Sequence, residues 1–311
     1  MNPALAAAIA RRHAEAPMPK PLAPTPGRVL HMDGDYAAYY CSGKDETPAG
    51  TARSILLARI EKAQRAAGAE RTIVHLSSND CDKGKRYLIA VTKPYQGQRD
   101  AGRKPDNWYV LREFMEGYEG PLFTTKLWSD READDGCAFH CEYESRNGVM
   151  PAVHTRDKDF RMFCGIHLDW LTYLPHTVQP DTFCSMDING KVFGHKWFWL
   201  QMLMGDSADN IPGCKGIGEE GAPQILSSAY DNESAFAAVS SMYKAKYGAE
   251  AWADKFVEQA ALLWMRTDVQ ARITDFRSII PDPGSVTLIE ATERMVVRVD
   301  KALADLQALK E

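Results

Sequence analysis

Acidic residues recur in this chain wherever a strand should end, and that pattern constrains the fold more than any other. RVLHMD (28–33) reads as a short apolar strand closing on Asp33. RTIVHLS (71–77) is a second buried-type strand, followed by Asp80 and Asp82. VMPAVHT (149–155) is a third, followed by Asp157 and Asp159 in TRDKDF. Between the first two lies ARSILLARIEKAQRAAG (52–68), apolar at helical spacing and ending on Gly68. Strand, helix, strand at this spacing predicts a parallel α/β sheet, and such sheets build their sites at the carboxyl ends of strands. Carboxylates that follow several parallel strands then meet on one edge.

One acid near a helix start needs no special account, because the helix dipole favours it by about 0.3–1 kcal/mol. A group of them raises each member's pKa and destabilises the fold unless cations join it. The helix predicted over READDGCAFHCEYESRNG (131–148) adds Glu132, Asp134 and Asp135, with Glu132 and Asp135 on one face. MGDSADN adds Asp206 and Asp209 at the same spacing. Asp157 and Asp159 share one side of an extended segment. Hard oxygen donors without neighbouring His or Cys favour Mg²⁺ or Mn²⁺. Cys137, His140 and Cys141 lack a fourth ligand at zinc spacing and read as buried helix residues.

The seven cysteines form no CxxC pair, which suits reduced thiols in a cytoplasm. No run of 18 apolar residues predicts a membrane span. The start reads as a short helix and a Pro-rich linker over 17–27, not a signal peptide. WYVLREFMEGY (108–118) predicts a helix, DING (187–190) a type I′ hairpin turn, and the chain from about 194 is mostly helical. The tail after 281–284 is a helix expected to pack on the core.

The formal net charge of −5 argues weakly against a polyanionic partner. Setting aside nine candidate ligands (Asp33, Asp82, Glu132, Asp134, Asp135, Asp157, Asp159, Asp206 and Asp209) turns it into +4. The loop-like stretch 78–107 holds Lys83, Lys85, Arg86, Lys93, Arg99, Arg103 and Lys104, either as a solvated loop or as a basic surface. Tyr95 and Trp108 are candidates to stack on a base, with core packing the stronger reading for Trp108. GCKGIGEEGAPQIL (213–226) reads as a tight turn feeding a helix. Such a turn either is structural or lets backbone N–H groups approach a phosphate.

GDSADNIPGCKGIG resembles the helix–three-turn–helix segment of the 5′ nuclease superfamily. VLHMDGDYAAYY, DKGKRY, KPYQGQR, READD and TRDKDF resemble the other motifs of that family, in family order over about 28–230, and are most similar to phage 5′→3′ exonucleases. The resemblance implies a PIN-like parallel sheet flanked by helices over 28–190 and a mostly helical part over 191–311. It implies two Mg²⁺ or Mn²⁺ ions, the first at Asp33, Asp82, Glu132 and Asp134, the second at Asp157, Asp159, Asp206 and Asp209, with Asp135 between them. It implies a 5′→3′ exonuclease on duplex DNA giving 5′-phosphate, with flap cleavage or RNA-primer removal from hybrids as the alternative. Arg99 would face the scissile phosphate. Lys83, Lys85, Arg86, Tyr95, Gln96, Arg103, Lys104, Gly213, Lys215, Gly216 and Gly218 would face DNA, with K⁺ at the turn. Gln96 stands where the family pattern has lysine, and Lys93 or Lys104 would substitute. Glu219 and Glu220 stand where a phosphate-binding lysine often follows the glycines. These departures are the support for a second reading, a non-catalytic DNA-binding scaffold.

Overall fold

A computed structural model describes residues 19–98, 103–281 and 286–309. Arg99 and the helix expected at the start lie outside the described residues. The elements run β1 (Val29–Asp33), α1 (Gly34–Cys41), α2 (Ala49–Ala67), β2 (Arg71–Ser77), α3 (Arg86–Ile89), α4 (Asp106–Glu116), β3 (Thr124–Trp128), α5 (Ala133–Arg146), β4 (Ala152–His154), β5 (Gly165–Leu168) and β6 (Pro175–Val178). A small hairpin, β7 (Ser185–Met186) and β8 (Val192–Phe193), leads to α6 (His195–Met204), α7 (Gly221–Ile225), α8 (Asn232–Leu263) and α9 (Val286–Ala308).

Six strands form one sheet in the order β3-β2-β1-β4-β5-β6. All neighbours are parallel except the edge pair β5–β6. β1 sits near the centre with all five residues buried. Alternation along it serves two layers. Leu30 and Met32 pack towards α1, α2 and α4, while His31 faces α5 on the other side. The largest apolar core joins Phe160 and Phe163 to Phe198, Trp199, Phe256 and Trp264 of the helical part.

The chain turns directly from β1 into α1. Asp33 caps that helix, its carboxylate accepting the Tyr36 N–H at 3.0 Å. The next residue must be glycine. A Cβ at Gly34 would lie 2.6 Å from Val74 Cγ1 and 2.7 Å from the His75 carbonyl oxygen. This close approach brings the first turn of α1 to the carboxyl end of β2.

Several local expectations are corrected. The Pro-rich linker is docked where the structure describes it, with Leu22 N–H on Ala66 O and Thr25 N–H on Gly68 O, both at 3.0 Å. The hairpin turn at Asp187 has positive φ at Gly190 and not at Asn189, so it is not type I′. Instead Gly190 N–H closes the turn on Asp187 O. The short elements α1, β3, β5 and β6 were not marked in the sequence. Their runs are too brief or too polar for periodicity to register. The terminal helix packs as expected, burying Leu288, Ala291, Met295 and Val299.

Candidate active site

The carboxyl ends of β1, β2 and β4, the N-terminus of α5 and the turn after α6 converge on a cleft of about 710 Å³. Seven of the nine expected carboxylates line it: Asp33, Glu132, Asp134, Asp157, Asp159, Asp206 and Asp209. Each is placed by a local device. Asp33 receives the Thr155 hydroxyl at 3.2 Å. Asp157 N–H donates to Thr155 Oγ1 at 3.0 Å and Asp159 N–H to Asp157 Oδ1 at 2.8 Å, so the acids after β4 hang on a ladder of short-range bonds. Buried Gln201 of α6 donates to Asp159 Oδ1 at 2.6 Å. Asp206 and Ile211 exchange backbone hydrogen bonds at 2.8 Å, which pins the turn carrying Asp209. That turn needs glycine, since a Cβ at Gly213 would strike the Gly205 amide nitrogen.

Two groups of ligand atoms lie within 4.8 Å of one another: Glu132, Asp134 and Asp135, and Asp159, Asp206 and Asp209. Burial, then the crowding of like charge, raises the carboxyl pKa values. Asp33 rises to about 7, through burial first and then Asp35. Asp134 and Asp159 are pushed well above the ordinary range, and Glu132 and Asp157 rise as well, all with burial as the main cause. An all-oxygen donor set in this state fits hard divalent cations.

Two expected ligands stand apart. Asp82 is outside the cleft lining and caps the turn after it, accepting Gly84 N–H at 2.9 Å. Asp135 is fully buried, and its oxygens are consumed by the fold. It takes both arms of Arg86 at 2.7 Å, Arg266 N–H at 2.9 Å and Glu132 N–H at 3.1 Å. Burial acts to raise its pKa, but Arg86 prevails and holds it below the usual carboxylate range.

The basic and aromatic expectations divide in the same way. Lys83 and Lys104 line the cleft, the latter with its ammonium 3.5 Å from the Trp108 ring centre. Lys93, the other lysine expected to substitute, is exposed and outside the lining. Arg86 is only 4% exposed and is spent on Asp135, so it is not a phosphate contact. Tyr95 is also buried, its hydroxyl 2.9 Å from Glu132 Oε2, and has no face left for a base. Gln96 is buried, donating to Asp209 Oδ1 at 3.1 Å and accepting Lys83 Nζ at 2.8 Å. The glutamine thus carries a lysine to the cleft instead of being one. Arg103 is exposed and pairs with Asp106 at 2.7 Å. Lys215, Gly216 and Gly218 are exposed and Lys85 is half-buried, whereas Gly213 is buried and gives its N–H to Gln259 Oε1 at 2.9 Å.

The sequence reading missed Asp35, Arg112, Arg156 and Lys158, all in the lining. Asp35 accepts Ser77 N–H at 3.1 Å and pairs with Arg112, fastening α4 to the sheet edge. Its signal was available in MDGDY, two residues after Asp33. On the reverse face of the sheet, His140 faces Glu144. Its Nδ1 lies 3.4 Å from Glu144 Oε1, and Cys137 and Cys141 are buried thiols. Trp128 donates to His75 Nδ1 at 3.0 Å, so neutral His75 carries its proton on Nε2, facing His31 Nδ1 at 3.0 Å. His31 then keeps its own proton on Nε2, 3.3 Å from Glu144.

A parallel sheet with a carboxylate-lined cleft at its carboxyl edge, joined to a helical part, is a fold that this chain shares with solved 5′-exonuclease structures. No family model matches the chain. It is 26% identical over 218 residues to the thermostable DNA polymerase I of Thermus caldophilus, covering 66% of this chain and 24% of that protein. The chain thus spans about a quarter of the length of that relative. A 5′-3′ exonuclease of Mycoplasmopsis pulmonis is 22% identical over 216 residues, covering 67% of this chain and 69% of that protein. The bacteriophage T5 flap endonuclease, solved with DNA and metal ions, superposes with a TM-score of 0.54 at 16% identity, covering 88% of this chain and 99% of that one.

Proposed function

We propose that the chain is a divalent-metal-dependent 5′→3′ exonuclease that hydrolyses DNA phosphodiester bonds and leaves 5′-phosphates. The observation that carries this reading is the convergence of seven carboxylates from separate elements on one cleft. Two Mg²⁺ or Mn²⁺ ions bound there would supply a hydroxide nucleophile and neutralise charge on the leaving oxygen. Asp33, Glu132 and Asp134 would hold the first and Asp157, Asp159, Asp206 and Asp209 the second. Asp135 is assigned to positioning Arg86, not to a metal.

The chain's own cations deal with the substrate. Lys83, Lys104 and Arg156 stand in the lining, where phosphates of a strand would lie. Arg99 keeps the role at the scissile phosphate that the resemblance implies. The exposed Lys215, Gly216 and Gly218 suit the duplex beyond the cleft, with K⁺ the cation implied at that turn. A cytoplasmic location fits the reduced thiols. Among the described residues no helix is long and apolar enough to cross a membrane.

The test uses 5′- and 3′-labelled duplexes, blunt or with a 5′ flap, and an RNA/DNA hybrid, each with Mg²⁺ or EDTA. Mononucleotides released from the 5′ end only with Mg²⁺ establish the exonuclease. One cut at the flap junction moves the assignment to a flap endonuclease. Binding without cleavage on any substrate leaves the scaffold reading. Asp157→Asn should lower cleavage on the order of a hundredfold or more while DNA binding in Ca²⁺ survives. Near-normal cleavage by that variant removes Asp157 from the site.

A further inference from the structure

We propose that Lys158 is a built-in counter-ion of the second acid group, which a divalent cation must displace before it can take Asp206 as a ligand. The inference rests on the metal reading of the cleft. Lys158 lies between Asp157 and Asp159, in the turn that follows β4. Its ammonium is 2.6 Å from Asp206 Oδ1. Asp206 is buried, at 2% side-chain exposure, while Lys158 is about a third exposed, at 34%. Asp206 Oδ1 also accepts Ala208 N–H at 2.9 Å, so the oxygen that meets Lys158 is already engaged on a second side. Asp159 and Asp209 each have an oxygen within 4.8 Å of a carboxylate oxygen of Asp206.

Four carboxylates cannot share this space without positive charge. The chain supplies one such charge itself, on the Asp206 carboxylate that a cation shared by Asp159, Asp206 and Asp209 would contact. Ammonium and divalent ion repel, and they compete for the same carboxylate. The arrangement differs from that at Asp135, whose arginine is locked in the core. Lys158 has a flexible stem, reaches solvent and makes its described hydrogen bond to Asp206 alone, so it can swing away. The second site is therefore the weaker one, and Lys158 sets how much weaker.

The experiment titrates the full chain with Mn²⁺, without DNA, and follows free Mn²⁺ by electron paramagnetic resonance. The wild type should show a tighter and a weaker step. Lys158→Met should tighten the weaker step on the order of tenfold and leave the tighter one unchanged, the size expected for a unit charge removed a few ångströms from a divalent ion in a wet cleft. Lys158→Gln, which retains a polar group, should tighten it too and guards against misfolding of the methionine variant. Lys158→Arg should bind like the wild type. An unchanged or weakened second step in folded Met and Gln variants overturns the proposal. Absence of Mn²⁺ binding by the wild type overturns the metal reading of the cleft itself, and this proposal with it.

Discussion

The two acid groups of the cleft are balanced by different cations. At Glu132, Asp134 and Asp135 most of the charge comes from Arg86, which forks onto Asp135 and is held from behind by the Leu262 carbonyl at 3.2 Å, with Lys83 Nζ 3.6 Å from Glu132 Oε1 as a second cation. Arginine does not lose its proton, and here neither partner reaches solvent. At Asp159, Asp206 and Asp209 the charge comes from Lys158, on a stem that reaches the cleft. Arg86 is part of the fold and Lys158 is exchangeable. A carboxylate next to a fixed guanidinium is a poor metal ligand, and of the two acids it is Asp206, not Asp135, that lines the cleft.

The sharpest way to break this comparison is to remove each cation in turn. Arg86→Met strands Asp135 as a buried, uncompensated charge and should lower unfolding free energy by about 3–5 kcal/mol. Mn²⁺ should not restore it, because Asp135 is outside the cleft lining. Lys158→Met should cost less in EDTA, and Mn²⁺ should recover the loss. Chemical denaturation with and without Mn²⁺ reads both. Full recovery of the Arg86 variant by Mn²⁺ would mean that Asp135 can turn into the site.

A second effect is a metal-dependent shift in melting temperature, of about 5 °C at saturation. It should grow as pH rises through about 7, the value to which Asp33 is raised. The sign follows from competition: below that pH the metal-free carboxyl holds a proton that the cation must expel. The buried neutral histidines His154 and His167, lowered to about 3 and about 4, favour the fold as pH rises towards the unfolded value. Their contribution is the same with and without metal and cancels in the difference. A shift that does not vary between pH 5.5 and 8 removes Asp33 from the metal site. The smallest effect separates two lysines. Lys83→Ala should slow cleavage roughly tenfold by removing a charge-assisted contact, and Lys93→Ala by less than about twofold. Equal rates would return the missing lysine's role to Lys93.

Much of the site was legible because its signals are local. Asp33, Asp157 and Asp159 follow apolar runs, and in a parallel sheet the ends of such runs must meet. Glu132 with Asp134, and Asp206 with Asp209, carry their relation in spacing alone. What escaped the sequence depends on distant chain. Arg86 looks like any member of a basic loop, and its burial requires the Leu262 and Trp264 carbonyls, 176 and 178 residues away. Tyr95 and Gln96 read as a surface pair until the Asp209 turn closes over them. Lys158 was passed over as the spacer between two acids, because no pattern says whether a lysine points to water or back to Asp206.

By itself the sequence determined the edge of the sheet on which the acids gather, since strand direction and residue order are local properties. It also determined the donor chemistry, since oxygen ligands without nitrogen or sulfur neighbours select hard cations. Only the tertiary structure decided which carboxylates remain open to a cation and which are consumed by the fold. That division depends on where the helical part places its carbonyls and turns against the sheet, and burial decides whether a charge next to an acid is a permanent partner or a replaceable one.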